Sequence, residues 1–198
     1  MSKLFCIMGK SASGKDTIFK RLIQDEMLDL KTVVSYTTRP MREGEQNGVE
    51  YYFVTGQKLD ELKKTGKVIE CRDYHTVHGI WSYFTVDDGQ VDFNSGQDSI
   101  IIGTLESYAQ IRIFYGKENV VPIYINVEDG ERLQRALNRE RQQEKPKYAE
   151  LCRRFLADSE DFSDEKLKLC EIDRIYENVD MEECLKEICM DIIRLRNT

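Results

Sequence analysis

The sequence has a deficit of positive charge and no long apolar run. Lysine and arginine together number 29 against 36 acidic residues, which gives a formal net charge of -7. This balance argues against a general nucleic-acid binder and against a protein held at an anionic membrane surface. We expect neither a transmembrane helix nor a signal peptide, because the apolar runs are short. Anionic small molecules stay possible ligands, since local arginine clusters decide whether they bind.

Paired cysteine motifs are also missing. The 6 cysteines are scattered along the chain, and no two of them form a C-x-x-C pair. This distribution is typical of reduced thiols in a cytoplasmic protein and gives no zinc-binding pattern. The 198 residues contain no repeat, low-complexity segment or linker. The sequence therefore predicts one domain with a sizeable core.

Three almost continuously apolar runs indicate a buried parallel sheet. They are Leu4–Met8, Ile100–Ile102 and Val120–Ile125, and strands covered on both faces have this pattern. Helical periodicity separates these runs, whereas residues 33–95 are richer in polar and aromatic residues and in short strands. We therefore predict an α/β fold with a parallel-sheet core (residues 1–32, 96–134 and 155–198) and a small, mostly β insertion at about residues 33–95.

Residue patterns also predict the individual elements. The predicted strands are Lys3–Met8, Val33–Thr37, Glu50–Val54, Val68–Tyr74, Ser99–Thr104, Val120–Val127 and Arg174–Glu177. The predicted helices are Lys15–Gln24, Lys58–Thr65, Glu106–Tyr115, Asp129–Arg141, Tyr148–Leu169 and Glu182–Arg194.

The stretch GKSASGKDT lies between the first apolar run and a helical segment. Gly9, Gly14 and Lys15 match the phosphate-loop pattern G-x-x-x-x-G-K. In this context backbone N–H groups and the helix N-terminus face the phosphates, and the lysine reaches the β- and γ-phosphates. The pattern predicts an ATP-binding loop formed by Gly9, Lys10, Ser11, Ala12, Ser13, Gly14, Lys15, Asp16 and Thr17.

The residue after the lysine departs from this pattern. The usual residue is serine or threonine, whose hydroxyl holds Mg²⁺, but here it is Asp16. A carboxylate facing a triphosphate would repel it unless a metal ion lies between them. Either Asp16 helps to hold Mg²⁺, directly or through water, or it favours the first helical turn while Thr17 supplies the hydroxyl. Both alternatives stay open.

A second candidate phosphate site lies in SYTTRPMREGEQNGVEYYFV, residues 35–54. Arg39 and Arg42 follow a predicted strand, and two guanidinium groups close together suit one phosphate monoester. Asn47 and Gly48 predict a hairpin turn. That turn would return the chain so that the phenol of Tyr51 could add a third donor.

This stretch resembles the guanylate kinases, whose pattern T-T-R-x-x-R-x-G-E-x-N-G-x-[DE]-Y-x-F is complete here. The similarity covers most of the chain, from the phosphate loop to the C-terminal helix. It implies a P-loop NTPase fold with a three-layer core, and a nucleoside monophosphate kinase that uses ATP and Mg²⁺. It further implies that Arg39, Arg42 and Tyr51 grip the phosphate of GMP. Ser35 and Glu70 match the family residues that contact guanine.

The assignment of Glu70 also has a chemical reason. Guanine presents two adjacent donors, N1–H and the 2-amino group, which suit the two oxygens of a carboxylate. Adenine lacks both donors, and a site of this kind can reject the wrong base by roughly 10⁴-fold. The resemblance further matches Tyr83 and Thr85 to the family's tyrosine and small hydroxyl residue, with a short insertion. We expect His75 and His78 nearby to be loop or surface residues.

The central strand lacks acids that the family carries. Guanylate kinases end this strand in L-D-x-D, where one aspartate contacts guanine and the other supports the metal region. Ile102 and Thr104 stand at these positions, and Thr104 is taken as part of the GMP site. Together with Asp16, this feature resembles the ribose bisphosphate phosphokinases, which have a GKD loop and lack the strand aspartates. Those relatives lack the complete arginine–tyrosine pattern.

The basic helical stretch RLQRALNRERQQEKPKYAELCRRFL resembles the family's mobile lid, at about residues 135–154. The resemblance implies that lid arginines close over the transferring phosphoryl group, and converging arginines with Mg²⁺ can supply most of the catalysis. The matching residues are Arg135, Arg139 and Arg154, with Arg141 and Arg153 as alternates. The segment DRIYEN, which ends at Asn178, resembles the strand and loop that approach adenine.

The sequence therefore predicts an enzyme that converts ATP and GMP to ADP and GDP with Mg²⁺. Its catalytic residues would be Lys15, Arg39 and the lid arginines. Its expected partners are nucleotides, with no nucleic acid and no membrane. Two alternatives stay open: a kinase for another phosphomonoester, ribose 1,5-bisphosphate first, and a guanylate-kinase-like binding module without catalysis. Such modules typically have eroded phosphate loops, whereas this loop is intact.

Overall fold

The computed structural model describes residues 2–76 and 79–196, so that His78 lies outside the described residues. Its strands are β1 (Leu4–Met8), β2 (Lys31–Thr32), β3 (Tyr36–Thr37), β4 (Tyr52–Phe53), β5 (Val68–Thr76), β6 (Gly79–Val86), β7 (Ser99–Ile102), β8 (Val120–Asn126) and β9 (Ile175–Glu177). Its helices are α1 (Lys15–Gln24), α2 (Gly56–Lys64), α3 (Leu105–Tyr115), α4 (Asp129–Arg141), α5 (Tyr148–Asp161), α6 (Asp164–Leu169) and α7 (Met181–Arg196).

The larger sheet is parallel and has the order β2-β7-β1-β8-β9. The central strand β1 pairs with β7 on one side and with β8 on the other, and all five of its residues are buried. The apolar runs therefore form the parallel core that the sequence predicts. Because the carboxyl ends of parallel strands meet at one edge, the loops after β1, β7 and β8 lie together.

Alternate residues of β1 face two different packing layers. Leu4, Cys6 and Met8 pack with α3 and with residues around Phe162. Phe5 and Ile7 pack against buried side chains of α1 and α7. The sheet thus lies between two helical layers, and the predicted three-layer architecture is confirmed.

The smaller sheet has the order β4-β3-β6-β5 and is built within residues 36–86. Strand β6 is antiparallel to both β3 and β5. The predicted hairpin at Asn47 and Gly48 is wrong, because β3 and β4 pair in parallel. Gly48 has a positive φ of 84° and donates its N–H to the Tyr51 carbonyl at 2.9 Å, so that a local turn lies inside a longer crossover. The exact boundaries of the insertion and the lid stay predictions.

The predicted helix over residues 148–169 is two helices, α5 and α6. Phe162 leaves the helix between them, is 6% exposed, and stacks on Tyr124 with ring centroids 5.5 Å apart. Ser163 then precedes α6 as its N-cap residue. The chain bends here because the ring is buried against the sheet. In the described part of the chain, no helix is long and apolar enough to cross a membrane.

Candidate functional site

The phosphate loop connects β1 to α1 and leaves the start of that helix open. Gly14 is the N-cap residue, has a φ of 86°, and precedes Lys15, the first helical residue. Within residues 2–76 and 79–196, no side chain caps this end of α1. The first N–H groups of a helix have no partner inside it and carry the positive end of the helix dipole. The loop therefore presents an anion-binding helix start.

Close contacts under the loop require glycine at two of its positions. A β-carbon on Gly9 would lie 2.5 Å from the Ile125 carbonyl oxygen of β8. A β-carbon on Gly14 would lie 2.4 Å from the side-chain nitrogen of Asn178. Both distances are far below van der Waals contact. The two glycines thus allow the loop to lie directly on the ends of the neighbouring strands.

Asn178 supports the loop from below. Its side chain is buried, with the residue 1% exposed, and its amide nitrogen donates to the Ser13 carbonyl at 2.8 Å. Its own N–H donates to the Asn126 carbonyl at 2.8 Å. The resemblance predicts that Asn178 belongs to the ATP-binding residues. The structure gives it contacts to the loop backbone, which a buried amide can hold in one conformation.

Lys15 and Asp16 lie side by side at the start of α1. The Lys15 ammonium is 3.3 Å from the Asp16 carboxylate, and the Asp16 side chain is 75% exposed. Thr17 is also exposed. Among the described residues, no group of three or more acidic, histidine or cysteine side chains is arranged to hold a metal ion. At the start of α1 the candidate ligands are therefore the Asp16 carboxylate and the Thr17 hydroxyl, which fits Mg²⁺ held mostly by phosphates and water.

A buried ion pair, which the sequence analysis does not predict, joins the helices α4 and α5 to the phosphate loop. The Ser11 N–H donates to the Asp158 carboxylate of α5 at 2.8 Å. Arg132 of α4 donates to the same carboxylate oxygen at 3.2 Å and to the Ser11 carbonyl at 3.3 Å. The Arg132 side chain is 1% exposed. The loop backbone is thus fixed to both helices at one point.

Arg132 has further partners that complete its burial. It donates to the Asp129 carboxylate at 2.9 Å, and Lys10 of the loop donates to the same group at 3.2 Å. Its guanidinium lies 4.2 Å from the ring centroid of Phe155, a cation–π contact. The available sequence signal is the spacing of Arg132 and Ala136, which lie on one buried face of α4.

Some of the residues predicted to bind the acceptor phosphate lie together in the structure. Arg39 is 4% exposed and donates two hydrogen bonds to the Glu45 carboxylate, at 2.7 and 2.5 Å. Its guanidinium lies 5.3 Å from the Tyr51 ring centroid, and the rings of Tyr51 and Tyr83 are 5.5 Å apart. The Arg39 hydrogen bond lowers the pKa of Glu45 to about 2. Arg39 and both tyrosines therefore form one cluster.

A large cleft separates the smaller sheet from α4 and α5. Its volume is about 1030 Å³. Its lining residues are Ser11, Arg42, Asp73, Tyr74, His75, Thr76, Trp81, Ala136, Arg139, Glu140, Gln143, Lys147, Glu150, Leu151, Arg153 and Arg154. The cleft thus brings Ser11 of the phosphate loop together with Arg42 of the second candidate phosphate site and with basic residues of the lid.

The lid arginines differ in their positions. Arg139 and Arg154 line the cleft, and Arg154 donates to the Ser11 hydroxyl at 3.0 Å. Arg135 instead donates to the Asn178 carbonyl at 3.2 Å and to Glu131 of its own helix at 2.9 Å. Arg153 lines the cleft but pairs with Glu150 of its own helix. Arg141 is exposed at the end of α4.

Glu70 and Thr85 lie opposite each other on β5 and β6, as the predicted base site requires. The Glu70 side chain is 2% exposed, and the Thr85 hydroxyl donates to it at 2.7 Å. Arg72 was not among the predicted site residues, and its Nε donates to Glu70 at 2.9 Å. Arg72 also donates to the Thr104 hydroxyl at 3.1 Å. The predicted guanine acceptor is therefore already paired with a cation.

Thr104 and Ile102, which the resemblance matches to the family's aspartates, have structural roles. Thr104 is the N-cap residue of α3, where its hydroxyl accepts from the Ser107 N–H at 3.2 Å. Ile102 ends β7 and packs against the buried core. Ser35 is half-buried, and its carbonyl accepts from the Tyr52 N–H at 2.9 Å.

The parallel sheet and the glycine-rich loop between β1 and α1 define a P-loop nucleotide-binding fold. A sequence model described as "Guanylate kinase" matches residues 1–193 of the chain. The chain therefore belongs to the guanylate kinase family.

Individual relatives agree with this assignment. The guanylate kinase of Oceanobacillus iheyensis is 31% identical over 111 residues, 55% of this chain and 51% of the relative. The match thus spans about half the length of that curated protein. The crystal structure of guanylate kinase from Anaplasma phagocytophilum aligns with a TM-score of 0.65 at 22% identity. That alignment covers 100% of this chain and 87% of the other, and it supports the shared fold.

Proposed function

We propose that this protein transfers the γ-phosphoryl group of ATP to GMP, giving ADP and GDP. The observation that carries the proposal is the cleft between the phosphate loop and the smaller sheet, because Ser11, Arg42, Arg139 and Arg154 line it together. A donor phosphate on the loop and an acceptor phosphate at the arginine cluster would meet there. Family membership supports the same reaction.

ATP would bind through the loop of residues 9–17. The open start of α1 and the Lys15 ammonium supply positive charge for the β- and γ-phosphates. Bound with ATP, Mg²⁺ would neutralise charge on these phosphates as the bond to the leaving oxygen breaks. Asp16 and Thr17 would hold it, directly or through water. Asn178 and Arg135 would shape the adenine side of the loop.

GMP would bind against the smaller sheet. Arg39, Arg42 and Tyr51 would hold its phosphate, with the Tyr83 hydroxyl nearby. Arg39 is already paired with Glu45 and packed against Tyr51, so it is held in one conformation before the substrate binds. Arg42 is exposed and free to turn toward the phosphate. Arg39 would therefore be a pre-organised donor to the GMP phosphate, and Arg42 a mobile one.

The base of GMP would lie toward Ser35, Glu70, Thr85 and Thr104. Phosphoryl transfer spreads charge over the equatorial oxygens, and Arg139 and Arg154 would stabilise that charge. Closure of α4 and α5 toward the smaller sheet would exclude water from the cleft and suppress hydrolysis of ATP.

A specific observation favours one second candidate, a kinase for ribose 1,5-bisphosphate. Ile102 and Thr104 replace the family's aspartates, and Thr104 serves to cap α3. Arg72 neutralises the carboxylate that would read guanine. A site poorer in free carboxylates tolerates an acceptor with a second phosphate better than the usual guanylate kinase site does.

A coupled assay of ADP release would test the proposal. The acceptors to compare are GMP, dGMP, AMP, UMP and ribose 1,5-bisphosphate, and Lys15→Ala serves as the inactive control. GMP giving the highest kcat/KM supports the proposal. Ribose 1,5-bisphosphate as the best acceptor would favour the second candidate. If GMP binds in calorimetry but no acceptor releases ADP, the protein is a binding module.

A further inference from the structure

The carboxylate of Glu70 has little capacity left to accept hydrogen bonds. Its Oε1 accepts from the Thr85 hydroxyl at 2.7 Å and from Arg72 Nη2 at 3.4 Å. Its Oε2 accepts from Arg72 Nε at 2.9 Å. Each carboxylate oxygen has about two lone-pair sites. Oε1 is therefore saturated, and Oε2 retains room for one donor.

This saturation changes how a base can be read. A free carboxylate accepts both N1–H and the 2-amino group of guanine. Glu70 can accept one of these donors while Arg72 and Thr85 stay bound to it. When that donor is N1–H, which guanine and hypoxanthine share, the 2-amino group has no acceptor on Glu70. The 2-amino group is what distinguishes guanine from hypoxanthine. Discrimination between these two bases should therefore be weak.

Arg72 has donors left for the O6 and N7 edge of the base, which adjoins N1–H. A guanidinium carries five N–H groups, and three of them go to Glu70 and to the Thr104 hydroxyl at 3.1 Å. The Arg72 side chain is 12% exposed, so a ligand can still reach it. Arginine paired with O6 and N7 is the commonest specific contact to guanine in nucleic-acid recognition. Hypoxanthine has the same two acceptors, whereas adenine has a donor at position 6.

We propose that Arg72 is a specificity-determining residue that reads O6 and N7 of a 6-oxopurine nucleotide. The acceptor class then includes IMP as well as GMP and excludes AMP. This inference rests on the proposed function, because it assigns the base recognition of the same site. It differs from the reading based on Glu70 alone, which favours GMP over IMP through the 2-amino group.

Wild-type protein gives the first test through kcat/KM for GMP, IMP and AMP. We expect IMP to be within about tenfold of GMP, and AMP to be lower by about 10- to 100-fold or more, the range of one bidentate base contact. A wild-type preference for GMP over IMP of more than about 100-fold would overturn the inference.

Variants of Arg72 give the second test. Arg72→Lys keeps the positive charge beside Glu70 but loses the pair of donors that can bind O6 and N7 together. The ratio of kcat/KM for GMP or IMP to kcat/KM for AMP should therefore fall by about tenfold or more, mainly through a higher KM. Arg72→Met releases Glu70, so GMP should gain over IMP. Arg21→Met is the matched control, because Arg21 also pairs two-pronged with a glutamate, Glu182, but this pair joins α1 to α7 and does not line the cleft. Its ratios should stay those of wild type.

Calorimetry separates this inference from the proposed reaction. If wild-type protein releases no ADP with any acceptor, the proposed function fails, and the dissociation constants of GMP, IMP and AMP still test Arg72. Thermal unfolding of each variant verifies that it is folded, and Arg72→Lys remains informative if Arg72→Met unfolds. Unchanged GMP, IMP and AMP ratios in folded Arg72→Lys would overturn the role of Arg72.

Discussion

The side-chain amide of Asn178 occupies the space that a side chain at Gly14 would need. A β-carbon on Gly14 would lie 2.4 Å from its nitrogen, and the same nitrogen donates to the Ser13 carbonyl at 2.8 Å. The phosphate loop and the segment after β9 are thus fitted to each other. The conformation of the loop depends on a residue far along the chain, and this dependence can be measured.

Asn178→Ala should destabilise the protein by about 1–3 kcal/mol, because it leaves the buried Ser13 carbonyl without its donor. Gly14→Ala should also destabilise it, through the clash with Asn178 and through a φ of 86° that alanine adopts poorly. Urea unfolding measures both changes. In the Asn178→Ala background the clash is gone, so Gly14→Ala should cost less there.

The double mutant supplies the control for this prediction. Coupling between residues in contact is typically about 0.5–3 kcal/mol. Strictly additive free energies would mean that the loop moves away from Asn178 when Gly14 is substituted, and the proposed fit would then be wrong.

Asp158→Asn should lower stability and strengthen ATP binding together. The substitution removes the charge that pairs with buried Arg132, at a cost of about 1.5–3 kcal/mol for a hydrogen bond to a charged group. It also removes an anion bound to the Ser11 N–H, which lies in the loop that is proposed to hold phosphate. Unfolding by urea and titration with ATP measure the two effects. Asp161→Asn, on the exposed side of the same helix, should change neither.

Residue patterns could predict the core but not these contacts. Continuous apolar runs indicated the parallel sheet, and α1 and α4 have the predicted bounds. Arg132 and Asp158 are 26 residues apart. The spacing of Arg132 and Ala136 can indicate a shared buried face of α4, but it does not indicate Asp158 as the partner. Their pairing depends on how two helices pack, which no local pattern encodes. Arg72 was missed for a related reason, since alternation along β5 does not predict which partner fills Glu70.

The wrong hairpin prediction has a similar cause. Asn47 and Gly48 do form a turn, but a turn determines the path of only a few residues. The parallel pairing of β3 with β4 follows from the longer crossover and from the strand β6 beside them. The strand β6 was itself absent from the predicted strands. Pairing within the smaller sheet therefore needed contacts that are distant in sequence.

Glu45 should stabilise the protein at neutral pH and lose this effect in acid. Its folded-state pKa is lowered to about 2, chiefly by the hydrogen bond from Arg39. A group with a lowered pKa contributes stability above its unfolded value, 4.5 here, and loses it as the pH falls toward 2. Glu45→Gln should therefore reduce stability at pH 7 and flatten the decline between about pH 4.5 and 2.

Thermal unfolding across this pH range measures the Glu45 effect. Glu43→Gln is the matched control, because Glu43 is an exposed neighbour in the same segment. A decline in acid that is the same in Glu45→Gln as in wild type would contradict the role of the Arg39 pair.

Arg42→Ala and Arg39→Ala should differ in their effects on stability. Each should raise the KM for the acceptor by an amount equivalent to about 1.5–3 kcal/mol, the value of a charge-assisted hydrogen bond. Arg42 is exposed, so its removal should leave the Tm nearly unchanged. Arg39 is 4% exposed and paired with Glu45, so its removal should also lower the Tm. Unchanged acceptor kinetics in both variants would place the acceptor site elsewhere.

Asp16→Asn should make catalysis more dependent on Mg²⁺. Asp16 is 75% exposed and lies 3.3 Å from the Lys15 ammonium, at the start of the helix that would face the phosphates. A carboxylate attracts Mg²⁺ more strongly than the hydroxyl usual at this position, but it repels ATP whenever the metal is absent. The variant should therefore have a lower kcat at low Mg²⁺, partial recovery as Mg²⁺ rises, and tighter binding of metal-free ATP.

Titration of kcat with Mg²⁺ is the measurement for Asp16→Asn, and Asp25→Asn, beyond the far end of the same helix, is the control. A titration curve identical to that of wild type would mean that Asp16 only favours the helix start, and that phosphates, water and Thr17 hold the metal.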